Sequence, residues 1–151
     1  MPPTESASGL AYALEPDLPV EQFIDVLVRS TLAERRPIDQ PELLDQALRK
    51  ASLIVTARDE NGTLVGVSRA LTDFSLATYL ADLAVDASRQ GRGIGRELIR
   101  RTHAAAGLHT MLILIAAPKA RTYYPHIGMR PHDSCWIIER AEPSSQASGG
   151  A

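Results

Sequence analysis

The chain has 151 residues, the usual size of one domain, and its apolar share of 44% and charged share of 23% are those of an ordinary globular protein. Its formal net charge of −2 gives no reason to expect nucleic acid or an anionic membrane as a partner. The single cysteine, Cys135, excludes an internal disulfide and fits a reducing cytoplasm, and no Cys/His cluster has metal-ligand spacing.

The two ends of the chain differ in composition from its centre. The start lacks the basic and apolar regions of a signal peptide, and no apolar run reaches the roughly 18 residues of a membrane span. We expect residues 1–8 to be disordered, and the Gly/Ser-rich tail over 143–151 likewise. The sequence therefore predicts one cytoplasmic domain over 9–142.

The first half of this domain changes from short apolar stretches to helical periodicity and then to hairpin signals. Ala11–Leu14 is a candidate strand. Apolar residues at helical spacing predict helices over about 19–34 and 40–51. Two β-branched runs, 53–56 and 64–67, flank a turn that contains Asn-Gly, which predicts a β-hairpin.

The second half predicts a strand, a helix and a strand in succession, over 78–85, 92–106 and 111–117. The last of these runs is almost wholly apolar, as in a parallel strand buried on both faces. A short helix over 119–126 and a final strand over 136–138 follow. The fold class is therefore α/β: a mixed, mostly antiparallel sheet with a central βαβ unit, flanked by helices.

Three glycines, Gly91, Gly93 and Gly95, stand where the helix after the third long strand begins. They remove side chains that would hold a ligand away from the backbone, at a point where amide groups lack partners and the helix dipole is positive. Such a turn suits a phosphate or pyrophosphate, and Arg89 adds positive charge nearby. The spacing matches neither the dinucleotide-binding nor the P-loop signature.

The segment Gln90–Gly95 reads Q-x-x-G-x-G and resembles the pyrophosphate-binding motif of the GNAT family of N-acetyltransferases, in a strand–turn–helix–strand context over about 78–130. The resemblance implies acetyl-CoA as cosubstrate, held by backbone groups of the strand and by the turn. The implied coenzyme-binding residues are Leu83, Ala84, Val85, Gln90, Gly91, Arg92, Gly93, Ile94, Gly95 and Arg96.

A second segment, Tyr123–Met129, is similar to the family's F-Y-x-x-x-G-[FY] motif. By this resemblance Tyr124 is the general acid that protonates the leaving thiolate, because a phenol stays protonated at pH 7. Met129 departs from the motif's aromatic residue, and Ala117 stands where many members carry an asparagine.

The proton of the acceptor ammonium needs a base, directly or through water. We expect Asp82, on the strand that faces the thioester in the family, to be that base. His126 and a water chain are alternatives, and substrate binding or pairing with an arginine is another role for Asp82. Cys135, at the start of an apolar strand, is expected to be a packing residue and not an acyl-accepting thiol.

The resemblance implies direct acetyl transfer in a ternary complex, most simply to a small-molecule primary amine. Two alternatives stay open: a regulatory module that binds acyl-CoA with little catalysis, and an acetyltransferase that acts on a protein or on aminoacyl-tRNA. We expect no metal, nucleic-acid or membrane partner, and a homodimer is an option.

Overall fold

The computed structural model describes residues 4–5 and 9–141. Its strands are β1 Thr4–Glu5, β2 Ala11–Leu14, β3 Leu53–Arg58, β4 Leu64–Thr72, β5 Ala77–Val85 and β6 Met111–Leu114. Its α-helices are α1 Val20–Ser30, α2 Pro41–Lys50, α3 Ile94–Ala106 and α4 Tyr123–His126. Short 3-10 turns occupy Leu32–Arg35, Ala87–Arg89 and Pro118–Ala120.

The strands form one sheet in chain order, β1 to β6. Neighbours are antiparallel except for β5 and β6, which run parallel and are joined by α3. The predicted α/β class, with a mostly antiparallel sheet and a βαβ unit, is therefore confirmed. Thr4 and Glu5, inside the segment expected to be disordered, pair with Tyr12 and Ala11. The predicted disordered tail over 143–151 lies outside the described residues.

Local sequence signals explain where the elements begin and end. Pro41 occupies the first turn of α2, where its missing N–H costs nothing. The β3–β4 turn places Gly62 at φ +78, and the Asp59 carboxylate accepts hydrogen bonds from the amides of Asn61 and Thr63. The predicted Asn-Gly hairpin is thus present.

Helices cover both faces of the sheet. α1 and α2 pack on one face around Phe23, Leu27 and Leu48, which are almost completely buried. α3 packs on the other face through Ile94 and Leu98. Because apolar side chains of β3, β4 and β5 enter both clusters, the two cores share the sheet between them.

Two sequence-based predictions are wrong. β6 is parallel as expected, but it is the last strand of the described sheet and Met111 and Ile113 are more than half exposed, so it is not buried on both faces. An apolar run indicates a strand, whereas its burial depends on neighbours that the run does not specify. The segment 136–138 forms no strand within the described part of the chain, and Trp136 and Ile138 are almost fully exposed.

The chain divides into two compact units, one ending at Pro118 and one beginning at Lys119. The first holds the sheet with α1, α2 and α3, and the second holds α4. The prediction of a single domain over 9–142 stays a prediction. In the described residues, no helix is long and apolar enough to cross a membrane.

Candidate functional site

The second half of β5 has an open edge. β6 pairs only with the first four residues of β5, Ala77–Leu80, and no other strand of the described chain takes its place beyond Leu80. On the opposite side β4 continues to pair as far as Val85. The sheet therefore presents backbone polar groups of Ala81–Val85 along one side.

Residues alternate along this open edge. The Asp86 amide donates to the Val65 carbonyl of β4 at 2.9 Å. Because the backbone groups of successive strand residues point to opposite sides, those of Val85 and of every second residue before it point away from β4. This directs the N–H and C=O of Leu83 and Val85 toward the open edge. Ala84, which was also predicted to contact the coenzyme, directs its backbone groups to β4 and buries its side chain in the core.

β5 runs directly into the glycine turn. Gly91 and Gly93 adopt φ values of +79° and +82°, a left-handed conformation that residues with a side chain rarely adopt. A Cβ built on either glycine would have no heavy atom within 4 Å, so open space faces the turn. Gly91 and Gly93 thus form an open cradle at the turn, and the predicted binding of a phosphate there stays a prediction.

Gly93 is also the residue that precedes α3, and it offers no side-chain hydrogen bond to the helix. The amides of Ile94, Gly95 and Arg96 belong to the first helical turn, which has no intrahelical acceptors. The first intrahelical hydrogen bond runs from the Glu97 amide to the Gly93 carbonyl at 3.0 Å. The start of α3 thus presents donors and a positive dipole to the space beside the turn.

The arginines near the turn differ in whether they form ion pairs. Arg92 and Arg96 are exposed and form no ion pair with any described residue. By contrast, Arg100 and Arg101 contact Glu97 at 2.6 and 2.8 Å and hold the pKa of its carboxyl down to about 2. The positive charge available to an anion is therefore concentrated at the beginning of α3.

Two further side chains fix the turn to the sheet. The Gln90 side-chain amide donates to the Val85 carbonyl at 3.2 Å, which occupies one backbone group of the open edge. Arg89 contacts Asp59 of the β3–β4 turn at 3.3 Å. Gln90 was predicted to contact the coenzyme, and in the structure its side chain holds the turn against the end of β5.

Asp86, at the end of β5, accepts hydrogen bonds from the Ser88 amide at 2.9 Å and the Ser88 hydroxyl at 2.7 Å. Arg29 of α1 donates to the same carboxylate at 2.5 Å and to the Leu64 carbonyl at 2.6 Å. The Ser88 hydroxyl, followed by Arg29, lowers the pKa of Asp86 to about 2. This network joins α1 to the strand end from which the glycine turn departs.

Asp82 lies on β5 as predicted, and its side chain is 2% exposed. One carboxylate oxygen accepts a hydrogen bond from Arg36 Nε at 2.6 Å, and the other accepts one from Arg69 Nε at 2.5 Å. The role of Asp82 as base stays a prediction. The alternative role, pairing with an arginine, is present in the structure. Sequence reasoning missed both arginines, because 46 and 13 residues separate them from Asp82.

The register of β5 is irregular at this point. Asp82 pairs with Arg69 and Leu80 with Ala70, which leaves Ala81 as an extra residue opposite β4. Burial still alternates across this irregularity, because Leu80 and Asp82 are buried and Ala81 between them is half-buried. The Ala81 carbonyl accepts a hydrogen bond from Arg36 Nη2 at 2.9 Å.

Tyr124 lies in α4, in the second compact unit, and is half-buried. Its ring packs edge-to-face on Tyr123 with the centroids 5.3 Å apart. Burial, followed by the neighbouring Tyr123, raises the pKa of Tyr124 above its ordinary value. In the same unit, His126 and Cys135 are exposed, so the expected packing role of Cys135 does not apply.

Among the residues that the structure describes, no group of three His, Cys, Asp or Glu side chains is placed to hold a metal ion. No curated protein matches this chain. A family model described as the acetyltransferase (GNAT) family matches residues 20–129.

Solved structures of acetyltransferases share the fold at low identity. A putative acetyltransferase from Deinococcus radiodurans R1 is 24% identical with a TM-score of 0.69, over 91% of this chain and 93% of the other. An aminoglycoside acetyltransferase from an uncultured soil metagenomic sample, in complex with trehalose, is 19% identical with a TM-score of 0.66, over 90% and 98%.

A ribosomal-protein-alanine N-acetyltransferase from Brucella melitensis biovar Abortus 2308 is 20% identical, with a TM-score of 0.65 over 87% of this chain and 99% of the other. These likenesses establish the fold, and the family match spans most of the chain and includes β5, the glycine turn and α4. This chain belongs to the acetyltransferase (GNAT) family.

Proposed function

We propose that this protein is an acetyl-CoA-dependent N-acetyltransferase that moves an acetyl group to a primary amine by direct transfer in a ternary complex. The observation that carries the proposal is the continuity of the open β5 edge with the glycine turn and the uncapped start of α3. An extended amide chain pairs with a strand edge, and a pyrophosphate accepts hydrogen bonds from helix-start amides. Both features lie on one continuous segment, Leu83–Arg96.

The residues of this segment have distinct roles in the proposal. Leu83 and Val85 hold the pantetheine arm through their backbone groups, and one of these amides polarises the thioester carbonyl. The amides from Gly91 to Arg96 hold the pyrophosphate, and the side chains of Arg92 and Arg96 neutralise its charge. Ile94 and Gly95 contribute through their backbone amides, since the Ile94 side chain is buried and Gly95 has no side chain.

Proton transfer completes the chemistry. The acceptor must lose a proton to attack the thioester carbon, and the thiolate that leaves must gain one. Tyr124 is the proposed acid, and its raised pKa keeps the phenol protonated at neutral pH. For the base, Asp82, His126 and a water chain remain the candidates.

The remaining features of the proposal concern partners. The acceptor is a small-molecule amine, and neither nucleic acid, a membrane nor a metal takes part. The protein acts in the cytoplasm, and a homodimer is the oligomeric state to test by sedimentation. Among the similar structures, two bear names of enzymes that act on an aminoglycoside and on a ribosomal protein, so both small and macromolecular amines belong in the test.

The proposal is tested by measuring thiol release from acetyl-CoA across a panel of amino acids, polyamines, aminoglycosides and lysine peptides. We expect saturable, amine-dependent release for at least one small amine. Tight coenzyme binding without release on any amine would favour the regulatory module. Release only with a protein or with aminoacyl-tRNA would favour the macromolecular alternative, and a steep salt dependence would mark the tRNA case.

The acid is tested with a matched pair of tyrosine variants. Tyr124→Phe removes only the hydroxyl, so we expect kcat to fall by about 100-fold or more while the KM for acetyl-CoA changes little. Tyr123→Phe makes the same change in the adjacent ring and should leave kcat within a few-fold. Equal kcat values for the two variants would remove Tyr124 from the mechanism.

A further inference from the structure

Two arginines from distant parts of the chain share one buried carboxylate. Arg36 follows the 3-10 turn after α1, Arg69 lies on β4, and both donate to Asp82 on β5. No other acidic residue of the described chain pairs with either arginine. Because one carboxylate faces two guanidinium groups, this cluster (Arg36, Arg69 and Asp82) carries one unit of positive charge in excess.

Burying such a cluster is costly unless its polar groups are used. A charged group that is removed from water loses its hydration energy and regains it only through well-placed hydrogen-bond and ion-pair partners. A guanidinium carries five N–H donors. Arg36 uses three of them, on Asp82, Arg35 and Ala81, and Arg69 uses two, the second on the Ala47 carbonyl at a long 3.5 Å. Both arginines therefore retain donors.

The cluster adjoins the open edge of β5. The carbonyl that Arg36 binds belongs to Ala81, two residues before Leu83 and just past the point where β6 stops pairing. The side chains of Arg36 and Arg69 are 25% and 15% exposed, so part of each side chain is accessible to a ligand. A charged group bound there would lie next to the edge proposed to hold the thioester.

We propose that Arg36 and Arg69 bind a carboxylate of the acceptor, so that the substrate is an amine that also carries a carboxylate. The guanidinium fork matches a carboxylate in two parallel hydrogen bonds. One unit of excess charge matches one carboxylate, whereas a phosphate monoester carries about −1.5 to −2. Asp82 is then a positioning residue that fixes the two guanidinium groups. This inference rests on the proposed function and narrows its substrate class.

The test compares amines that differ only in the carboxylate. Thiol release from acetyl-CoA is measured with α-amino acids and with their carboxamides, at equal concentrations of the free amine. We expect kcat/KM to favour the acid, and Arg36→Gln to lower it for the acid by about 10- to 100-fold while the carboxamide changes little. Arg36→Lys keeps the positive charge but lacks the forked pair of N–H donors, so its kcat/KM for the acid should lie between those of the unaltered protein and Arg36→Gln.

A binding measurement gives a second readout. By calorimetry with CoA present, we expect an N-acetylated amino acid to bind more tightly than its carboxamide, and Arg36→Gln to abolish the difference. Arg49→Gln is the matched control, because Arg49 also joins a carboxylate, Asp45, to backbone carbonyls but lies outside the cluster. It should preserve the preference for the acid.

The failures are distinguishable. Equal kcat/KM for acids and carboxamides in the unaltered protein would overturn this inference and leave the proposed function standing. An equal loss for both acceptors in Arg36→Gln would mean that the cluster only holds the α1–α2 connection to the sheet, and would overturn it as well. Absence of release with every amine would overturn the proposed function and this inference together.

Discussion

Gly93 has two structural roles, because it adopts a left-handed conformation in the turn and is also the residue that precedes α3. Its lack of a side chain keeps the space beside the first helical amides open. A ligand phosphate would take the place that a capping side chain fills in other helices. The steric argument for Gly93 and Gly91 therefore concerns the ligand more than the fold.

Replacing Gly93 with alanine separates these effects. The left-handed backbone makes the change cost about 1–2 kcal/mol of unfolding free energy, and the new methyl group narrows the cradle. We expect Gly93→Ala to weaken CoA binding at least about 10-fold by calorimetry. Gly62→Ala has a similar φ and equally open space in the hairpin turn, so it should cost similar stability and leave CoA affinity unchanged. Equal affinities for both variants would contradict the proposed cradle.

Single residues also show which parts of the site can be predicted from the sequence. The glycine spacing is local, so the turn and the start of α3 were predictable from 90–96 alone. The partners of Asp82 come from other elements, and no local pattern points to Arg36 or Arg69. The extra residue at Ala81 is likewise a property of the β4–β5 pairing and not of either strand's sequence.

At the scale of elements, the ion pair between Arg29 and Asp86 joins α1 to the end of β5. The pKa of the Asp86 carboxyl is about 2, against an ordinary value of 3.8, so the effect of this ion pair on stability can be followed by varying the pH. A lowered pKa means that the ionised carboxylate stabilises the folded state at neutral pH. That contribution is lost as the pH falls from about 4 toward about 2.

Asp86→Asn should therefore lower the free energy of unfolding at pH 7 by about 1–2 kcal/mol. The difference from the unaltered protein should shrink as denaturant titrations move from pH 5 to pH 3. Asp17→Asn, at a fully exposed carboxylate, should show little difference at any pH. A deficit in Asp86→Asn that is the same at pH 3 and pH 7 would show that the charge of Asp86 does not stabilise the fold.

Elements were predicted well where period and turn chemistry agree, as in the β3–β4 hairpin and in α3. The exposed β6 and the missing strand at 136–138 show the limit of this approach. A strand needs a partner, and apolar or β-branched residues alone do not say which neighbour, if any, supplies the hydrogen bonds.

At the scale of the whole molecule, the order of strands creates the site. Because β6 pairs with only the first half of β5, the second half is left open on the side where the chain then turns into α3. α1 and α2 pack on one face of the sheet and α3 packs on the other. This arrangement and the family to which the chain belongs support the proposed function.

The most direct test is an amide-resolved NMR titration of the full chain with CoA. We predict saturable shifts concentrated on the amides of Leu83, Val85 and residues 91–96, with little change in the β4–β5 turn around Ser75 at the other end of the strand. Saturable shifts elsewhere with 83–96 unmoved, or no shifts at millimolar CoA, would contradict it.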